Sequence, residues 1–573
     1  MQNIYIMKKI LYFWLVVFSL ITYKAQSTTW NGSSWSNGVP SATKDAIIAG
    51  DYNLPRSVGA VKITINSGVT YSIAEGYSLT VAGQFINNGT IVVNDGGVLI
   101  QRNGSTYSGS GNSIVKKIAK LKQKDYNYWS APVSGQNLYN FSVGTPTNFI
   151  FRYNEANDRF GTAGLNTLSV FEPGIGYAIR GKDAYSPTVP TTEIFNFVGT
   201  PNNGNISVTL QKSPGEDKGY NLVGNPYPSN ISFKTLASAT ANKNSIFNKQ
   251  WLWSNLNQLK IQQGSAYAGN NYATYVGAVG GVGPTYVSGN VEEVSLRPNE
   301  FTEVGQGFIV QAKYNNATLL FANGIRAGLS AGSIFYNKNE EEDEPQEPEE
   351  IVDRYWLKLI NPDNIANDIL IAHIAEATNN YDEDYDAALY AMGNDTFYSA
   401  VGTNKLQIQA RALPISDSDV IPLAYKTSKA GNCIIALNDK DGVFKDSNKA
   451  IYLKDKVTGT ITNLQEGYYT FNSEVLTTPN DSRFEILYAN SVLAADNAAT
   501  KQWLVYKQDT DWVVRGNDRI DGLDLYDASG KLVRSVAGHN TGELRVSNVG
   551  LLKGLYVMKI KTGKGTVTKK LLN

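Results

Sequence analysis

Hydrophobic positions alternate with polar ones over short runs, and Gly, Asn, Asp, Ser or Pro closes each run. Tyr355-Trp356-Leu357-Lys358-Leu359, Leu406-Gln407-Ile408-Gln409-Ala410 and Arg483-Phe484-Glu485-Ile486-Leu487-Tyr488 have the alternation of strands with one buried face. Sustained 3.6-residue periodicity is nearly absent. The Ala-rich stretch 372–392 is the one helical contender, and Asn379-Asn380 and the acidic residues 382–386 interrupt it. The pattern predicts an all-β protein of several parts.

Residues 26–115 form a glycine-punctuated β-repeat. Gly68, Gly76, Gly83, Gly89 and Gly97 separate short alternating strands such as Leu79-Thr80-Val81 and Thr90-Ile91-Val92-Val93. Glycine relieves the cost of positive φ in tight turns, so the spacing suits either a short β-solenoid or a sandwich of hairpins. The opening Thr29-Trp30-Asn31-Gly32-Ser33-Ser34-Trp35 supplies two indoles, Trp30 and Trp35. They are read first as an end cap and second as rings for stacking on sugars.

Residues 116–336 form a central region of β-sandwich type with an internal repeat. Tyr126-Asn127-Tyr128-Trp129-Ser130-Ala131-Pro132 aligns with Tyr220-Asn221-Leu222-Val223-Gly224-Asn225-Pro226, and Gly174-Ile175-Gly176-Tyr177 with Gly305-Gln306-Gly307-Phe308. The order is kept, which points to duplicated β units or to symmetric halves of one sandwich. Neither Gly-x-Gly is a phosphate loop, because no helix and no Lys-Ser/Thr follows. Gly280-Gly281-Val282-Gly283-Pro284 fails the same test and is read as a flexible loop. Trp251-Leu252-Trp253 puts Trp251 and Trp253 on one side of a strand. Both are candidates for glycan stacking, although the core is the commoner destination.

Residues 337–350 hold eight acidic groups and two prolines, a solvated linker or loop. A second β-sandwich region follows over 351–490, then a small-residue connector at 491–500. Asp382-Glu383-Asp384-Tyr385-Asp386 alternates carboxylates but lacks the turn glycine of a calcium loop, so it reads as a solvated loop.

Composition narrows the chemistry. The 51 basic and 51 acidic groups cancel, which argues against a nucleic-acid partner. A single cysteine, Cys433, excludes intrachain disulfides, multi-cysteine zinc sites and CxxC redox pairs. Cys433 and His373 both sit in strand-like runs and are read as structural. No catalytic, metal or cofactor-binding residue is assigned, and no cofactor is expected. Lys8-Lys9 followed by the 13-residue apolar run 10–22 fits a signal peptide over 1–25, too short for comfortable membrane spanning. No transmembrane segment is expected in the mature chain.

The last part, 501–573, carries the most specific pattern. Leu525-Tyr526-Asp527-Ala528-Ser529-Gly530-Lys531-Leu532-Val533 turns at residues 528–530, Lys553-Gly554-Leu555-Tyr556 follows, and Lys569-Lys570 precedes the terminus. This resembles the C-terminal sorting domain of proteins exported by the Bacteroidota type IX secretion system, with Leu525, Tyr526, Asp527, Gly530, Gly554, Tyr556, Lys569 and Lys570 as its motif. The resemblance implies an immunoglobulin-like sandwich, the secretion machinery as partner, and release or attachment to surface lipopolysaccharide. The part carries 13 Lys/Arg against 7 Asp/Glu, a basic surface suited to an acidic docking partner. Most of residues 27–490 are similar to flavobacterial secreted proteins of uncharacterised function, on Thr29-Trp30-Asn31-Gly32, Tyr126-Asn127-Tyr128-Trp129, Tyr220-Asn221-Leu222-Val223-Gly224-Asn225-Pro226, Arg411-Ala412-Leu413-Pro414 and Ile421-Pro422-Leu423. That resemblance brings no activity with it.

The expectation is an extracellular or outer-surface protein without enzymatic activity, serving adhesion, matrix building or glycan contact. The alternatives are a polysaccharide lyase or glycoside hydrolase on a β-scaffold, and a self-assembling surface protein.

Overall fold

The computed structural model describes residues 26–215, 218–255, 271–289, 297–329, 352–390, 392–445, 449–489, 503–508, 510–527, 529–552, 554–563 and 565–572. Residues 1–25, read above as a signal peptide, the acidic run 337–350 and residues 491–500, read as a connector, lie outside them. Strand accounts for 53% of the structure and helix for 5%, so the chain is all-β. Among the described residues no helix is long and apolar enough to cross a membrane.

The N-terminal part is a parallel β-solenoid with three strips of strands. One strip stacks Gln26–Trp30, Lys44–Ile48, Ile63–Ile65, Gln84–Asn87 and Thr106–Ser108, all parallel. Ile63 pairs with Phe85, Tyr71 with Ile91 and Leu79 with Leu99, so one coil takes roughly 20 residues, in the range of solenoid repeats. Each glycine interval is therefore one side of a coil, and parallel pairing excludes the hairpin sandwich. The inward Ile63, Ile65, Tyr71, Leu79, Phe85 and Ile91 are fully buried. The glycines divide into two kinds. Gly68 and Gly76 occupy positive φ at turns, as expected. Gly83, Gly89 and Gly97 do not; there the chain runs against carbonyl oxygens of the coil below, and a Cβ would collide with them. Trp30 and Trp35 close the open end, their ring centroids 4.7 and 5.3 Å from that of Tyr52, which stacks on Tyr71.

The last solenoid strand, Asn112–Leu121, crosses the expected boundary at 115–116 and pairs antiparallel with Thr191–Val198. It thereby opens the first of two repeats. Strand Tyr126–Trp129, helix Leu138–Phe141, hairpin Ile150–Asn154 with Arg159–Gly161, and strands Tyr177–Arg180 and Thr191–Val198 complete it. The second repeat has the same order: Ile206–Leu210, Tyr220–Gly224, Phe233–Ser238, Ile246–Trp253 with Tyr272–Val276, Gly307–Ala312 and Ala317–Phe321.

The register is also the same. Tyr126 pairs with Arg180 and Trp129 with Tyr177, while Tyr220 pairs with Gln311 and Val223 with Phe308. The repeats meet reciprocally, as a pseudo-two-fold axis requires. Ser130 N donates to Gly305 O at 2.9 Å and Gly224 N to Gly174 O at 3.0 Å. Trp129 bridges Gln306, and Val223 bridges Ile175. The Gly-x-Gly motifs permit this approach: a Cβ on Gly176 would lie 2.6 Å from Val223 O, and one on Gly307 2.9 Å from Tyr128 Cβ.

A twelve-stranded sheet follows. Its central strand, Ile365–Ile374, is buried throughout and pairs with Asp353–Ile360, with Asn404–Ala412, and with Tyr286–Val287 from the second repeat. The expected flexible loop at 280–284 is corrected here. Gly280–Val282 is a buried strand on Tyr272–Val276, and Gly281 O accepts from Trp356 Nε1 at 2.8 Å, joining the second repeat to this sheet. Small residues there mean close packing rather than mobility.

The C-terminal five strands form one network. Strand Asp511–Asp527 spans it, changes register between Arg515 and Ile520, and pairs with Trp503–Gln508, Leu532–Ser547 and Leu555–Thr562. Trp512, Leu523, Leu525, Tyr556, Met558 and Ile560 fill its core.

Candidate functional site

Where the two repeats meet, a cleft of about 790 Å³ opens between the hairpin of the first repeat and strands Ile206–Leu210 and Tyr220–Gly224 of the second. The hairpin turns through the short 3₁₀ segment Glu155–Asn157, closed by Asp158 in the left-handed region. It sets Tyr153 opposite Phe160, with ring centroids 5.2 Å apart, and Arg152 opposite Gly161. Both rings are half-buried and line the cleft, with Arg152, Arg159, Lys212 and Asn221 around them.

The hairpin is held from below by Glu155. Its buried carboxylate accepts from Ser213 N at 2.9 Å, Ser213 Oγ at 2.7 Å and Gly219 N at 2.8 Å, all from the second repeat. Burial pushes this carboxyl up, but those hydrogen bonds outweigh it and hold the group below its ordinary value. Tyr153 Oη donates to Asp158 Oδ1 at 2.6 Å; burial first, and then this carboxylate, raise the phenol and keep it protonated. Arg152 is ion-paired with Glu172.

The pseudo-two-fold axis shows what is particular about this place. Phe151 pairs with Ala178 as Trp251 pairs with Ile309, so Tyr153 corresponds to Trp253, Glu155 to Asn255 and Phe160 to Tyr272. Asn255 reaches across in the reverse direction, its Nδ2 donating to Tyr126 O at 2.6 Å. Trp253 and Tyr272 make the corresponding aromatic pair at 5.0 Å. That second pair is 8% exposed at each ring and packs against Tyr390 from the following sheet, 4.4 Å from Tyr272. One copy of the aromatic pair is thus covered by the chain itself, and the other lines an open cleft.

The sorting-domain motif residues are built into their strands. Asp527 accepts from Ser529 N at 2.9 Å and Lys531 N at 3.0 Å, closing the turn in which Gly530 adopts φ +84°. Leu525 is buried, Tyr526 is half-buried, and Tyr556 Oη donates to Leu552 O at 2.9 Å. Gly554 has open space where a Cβ would stand. Lys569 and Lys570 lie on the terminal strand Gly565–Leu572, opposite Met558 and Val557.

Two families match. The one described as Domain of unknown function (DUF8693) matches residues 22–488, taking in the solenoid, both repeats and the twelve-stranded sheet. The chain belongs to that family. The second, Secretion system C-terminal sorting domain, matches residues 512–572. The chain is therefore a type IX secretion substrate, exported to the cell surface or the extracellular space. A search of the curated proteins finds no match.

The tryptophans singled out in the sequence sit elsewhere than in the cleft. Trp30 and Trp35 cap the solenoid, half-buried, and Trp251 and Trp253 are buried in the repeat core. Tyr153, Phe160, Arg159 and Lys212 were not legible as a site. Extending the repeat alignment into the hairpin places Tyr153 on Trp253 and is the signal that finds them. Cys433 and His373 lie on strands flanking Asp353–Ile360, toward its opposite ends, and form no dyad. His373 Nε2 is 2.6 Å from Tyr488 Oη, and burial lowers the imidazole to about 4. Burial raises the Cys433 thiol to about 11. Asp382 and Asp386 accept backbone N–H groups of Thr378, Asp382 and Ala410, which fixes their loop. Among the described residues no three His, Cys, Asp or Glu side chains gather as a metal site.

Proposed function

We propose that this exported protein acts outside the cell as a non-enzymatic binding protein that contacts glycans in the cleft between its repeats. The observation that carries the reading is the half-buried Tyr153–Phe160 pair in an open cleft, whose two-fold counterpart is covered by Tyr390. Aromatic faces beside amide and guanidinium donors suit pyranose rings, which present an apolar face and a polar rim. The described carboxylates at the cleft favour binding over hydrolysis. A glycosidase needs one carboxyl held protonated and a second ready to attack or activate water. Glu155 is instead saturated by donors and Asp158 is engaged by Tyr153.

The test passes the purified full-length chain over soluble and insoluble polysaccharides, scoring retention and released reducing ends together. Retention without release is expected. Released product overturns the non-enzymatic reading, and neither retention nor release moves the function to self-assembly or a protein partner.

A further inference from the structure

The cleft's charge says more about its occupant. Among the described residues the ionisable side chains lining it are Arg152, Arg159 and Lys212 against Glu155, with tyrosine apart; Glu216 and Asp217, in the neighbouring loop, lie outside the described residues. Glu155 is spent on Ser213 and Gly219, Asp158 at the hairpin turn accepts from Tyr153 Oη, and Arg152 is paired with Glu172. Arg159 is exposed and in no ion pair among the described residues, and Lys212 Nζ donates to the neutral Lys218 O at 3.3 Å. Two cations thus border an aromatic pair without a described carboxylate partner.

We infer that the cleft takes an acidic glycan, a sugar polymer bearing carboxylate or sulfate groups. Arg159 and Lys212 meet the anionic substituents while the rings lie against Phe160 and Tyr153. This rests on the glycan reading above and deepens it. A guanidinium is suited to carboxylate and sulfate because its planar fork donates two parallel hydrogen bonds, and the ammonium adds a point charge. A neutral polymer would meet these donors with hydroxyl groups alone and leave both charges without a counter-charge.

The test compares binding of the full chain to polygalacturonate and dextran sulfate with binding to carboxyl-reduced polygalacturonate and plain dextran. Polyphosphate is the control without a sugar ring. A charge-assisted contact predicts roughly ten-fold preference for at least one of the two acidic polymers over its neutral counterpart, reduced by added salt. Arg159→Ala with Lys212→Gln should erase that preference, bringing each acidic polymer down to the retention of its neutral counterpart in the same variant, with the melting temperature unchanged. The polygalacturonate and dextran sulfate arms separate carboxylate from sulfate as the recognised group. Equal retention of acidic and neutral polymers overturns this inference and leaves the glycan reading standing. A preference that survives the double substitution, or polyphosphate bound as tightly as the acidic glycans, also overturns it. No polymer retained overturns both.

Discussion

His373 illustrates how little of a residue's role is fixed by its type. In the sequence it is one of two histidines, in a strand-like run; in the fold it is 1% exposed, hydrogen-bonded to Tyr488 and packed near Phe444. Burial holds it neutral down to about pH 4 from an ordinary value of 6.5. Between those values the unfolded chain binds a proton that the folded chain does not, so stability rises with pH across that window and falls on acidification. Wild type should lose up to about 3 kcal/mol relative to His373→Gln as pH drops from 6.5 to 4, read by denaturant unfolding. A pH-independent difference would mean that the folded chain takes up the His373 proton over the same range as the unfolded chain. Tyr153 shows the opposite case. Nothing in Tyr153-Asn154-Glu155 distinguishes a cleft-lining hairpin from any other turn, because the groups that fix it, Ser213 and Gly219, come from about sixty residues away.

At the level of elements, the short alternating runs were legible because a half-buried strand needs period two whatever its partner. Whether the partner was parallel or antiparallel was not, since alternation is the same in a hairpin and a solenoid coil. The glycines carried the missing information. Gly68 answers a turn, and Gly89 answers the carbonyls of Val69 and Asn66 in the coil below. Their substitutions should therefore differ. Gly68→Ala faces open space at positive φ and should cost about 1 kcal/mol. Gly89→Ala forces neighbouring coils apart and should cost about 3 kcal/mol. Thermal unfolding of the two variants checks this, and equal costs would argue against the stacked coil. The two-fold relation was half legible: the aligned motifs established order, and their identical register and reciprocal bridges established duplication.

For the whole molecule, one family spans the solenoid, both repeats and the following sheet, and another supplies the sorting domain. That division places export in the terminal strands, and the glycan binding proposed above belongs to the rest of the chain. Removing residues 501–573 should leave the protein in the periplasm, read by fractionation and surface labelling; normal export of the truncated chain would separate sorting from this domain. The proposed binding should survive changes in the sorting domain and fail with changes in the cleft. The most direct measurement is equilibrium retention on the polysaccharide panel for wild type, Tyr153→Ala with Phe160→Ala, and Trp30→Ala with Trp35→Ala, each checked for an unchanged melting temperature. Binding in the cleft predicts about a ten-fold loss from the cleft variant, as for removing stacked aromatic contacts, and little change from the cap variant. Full retention by the cleft variant, or loss confined to the cap variant, would contradict it.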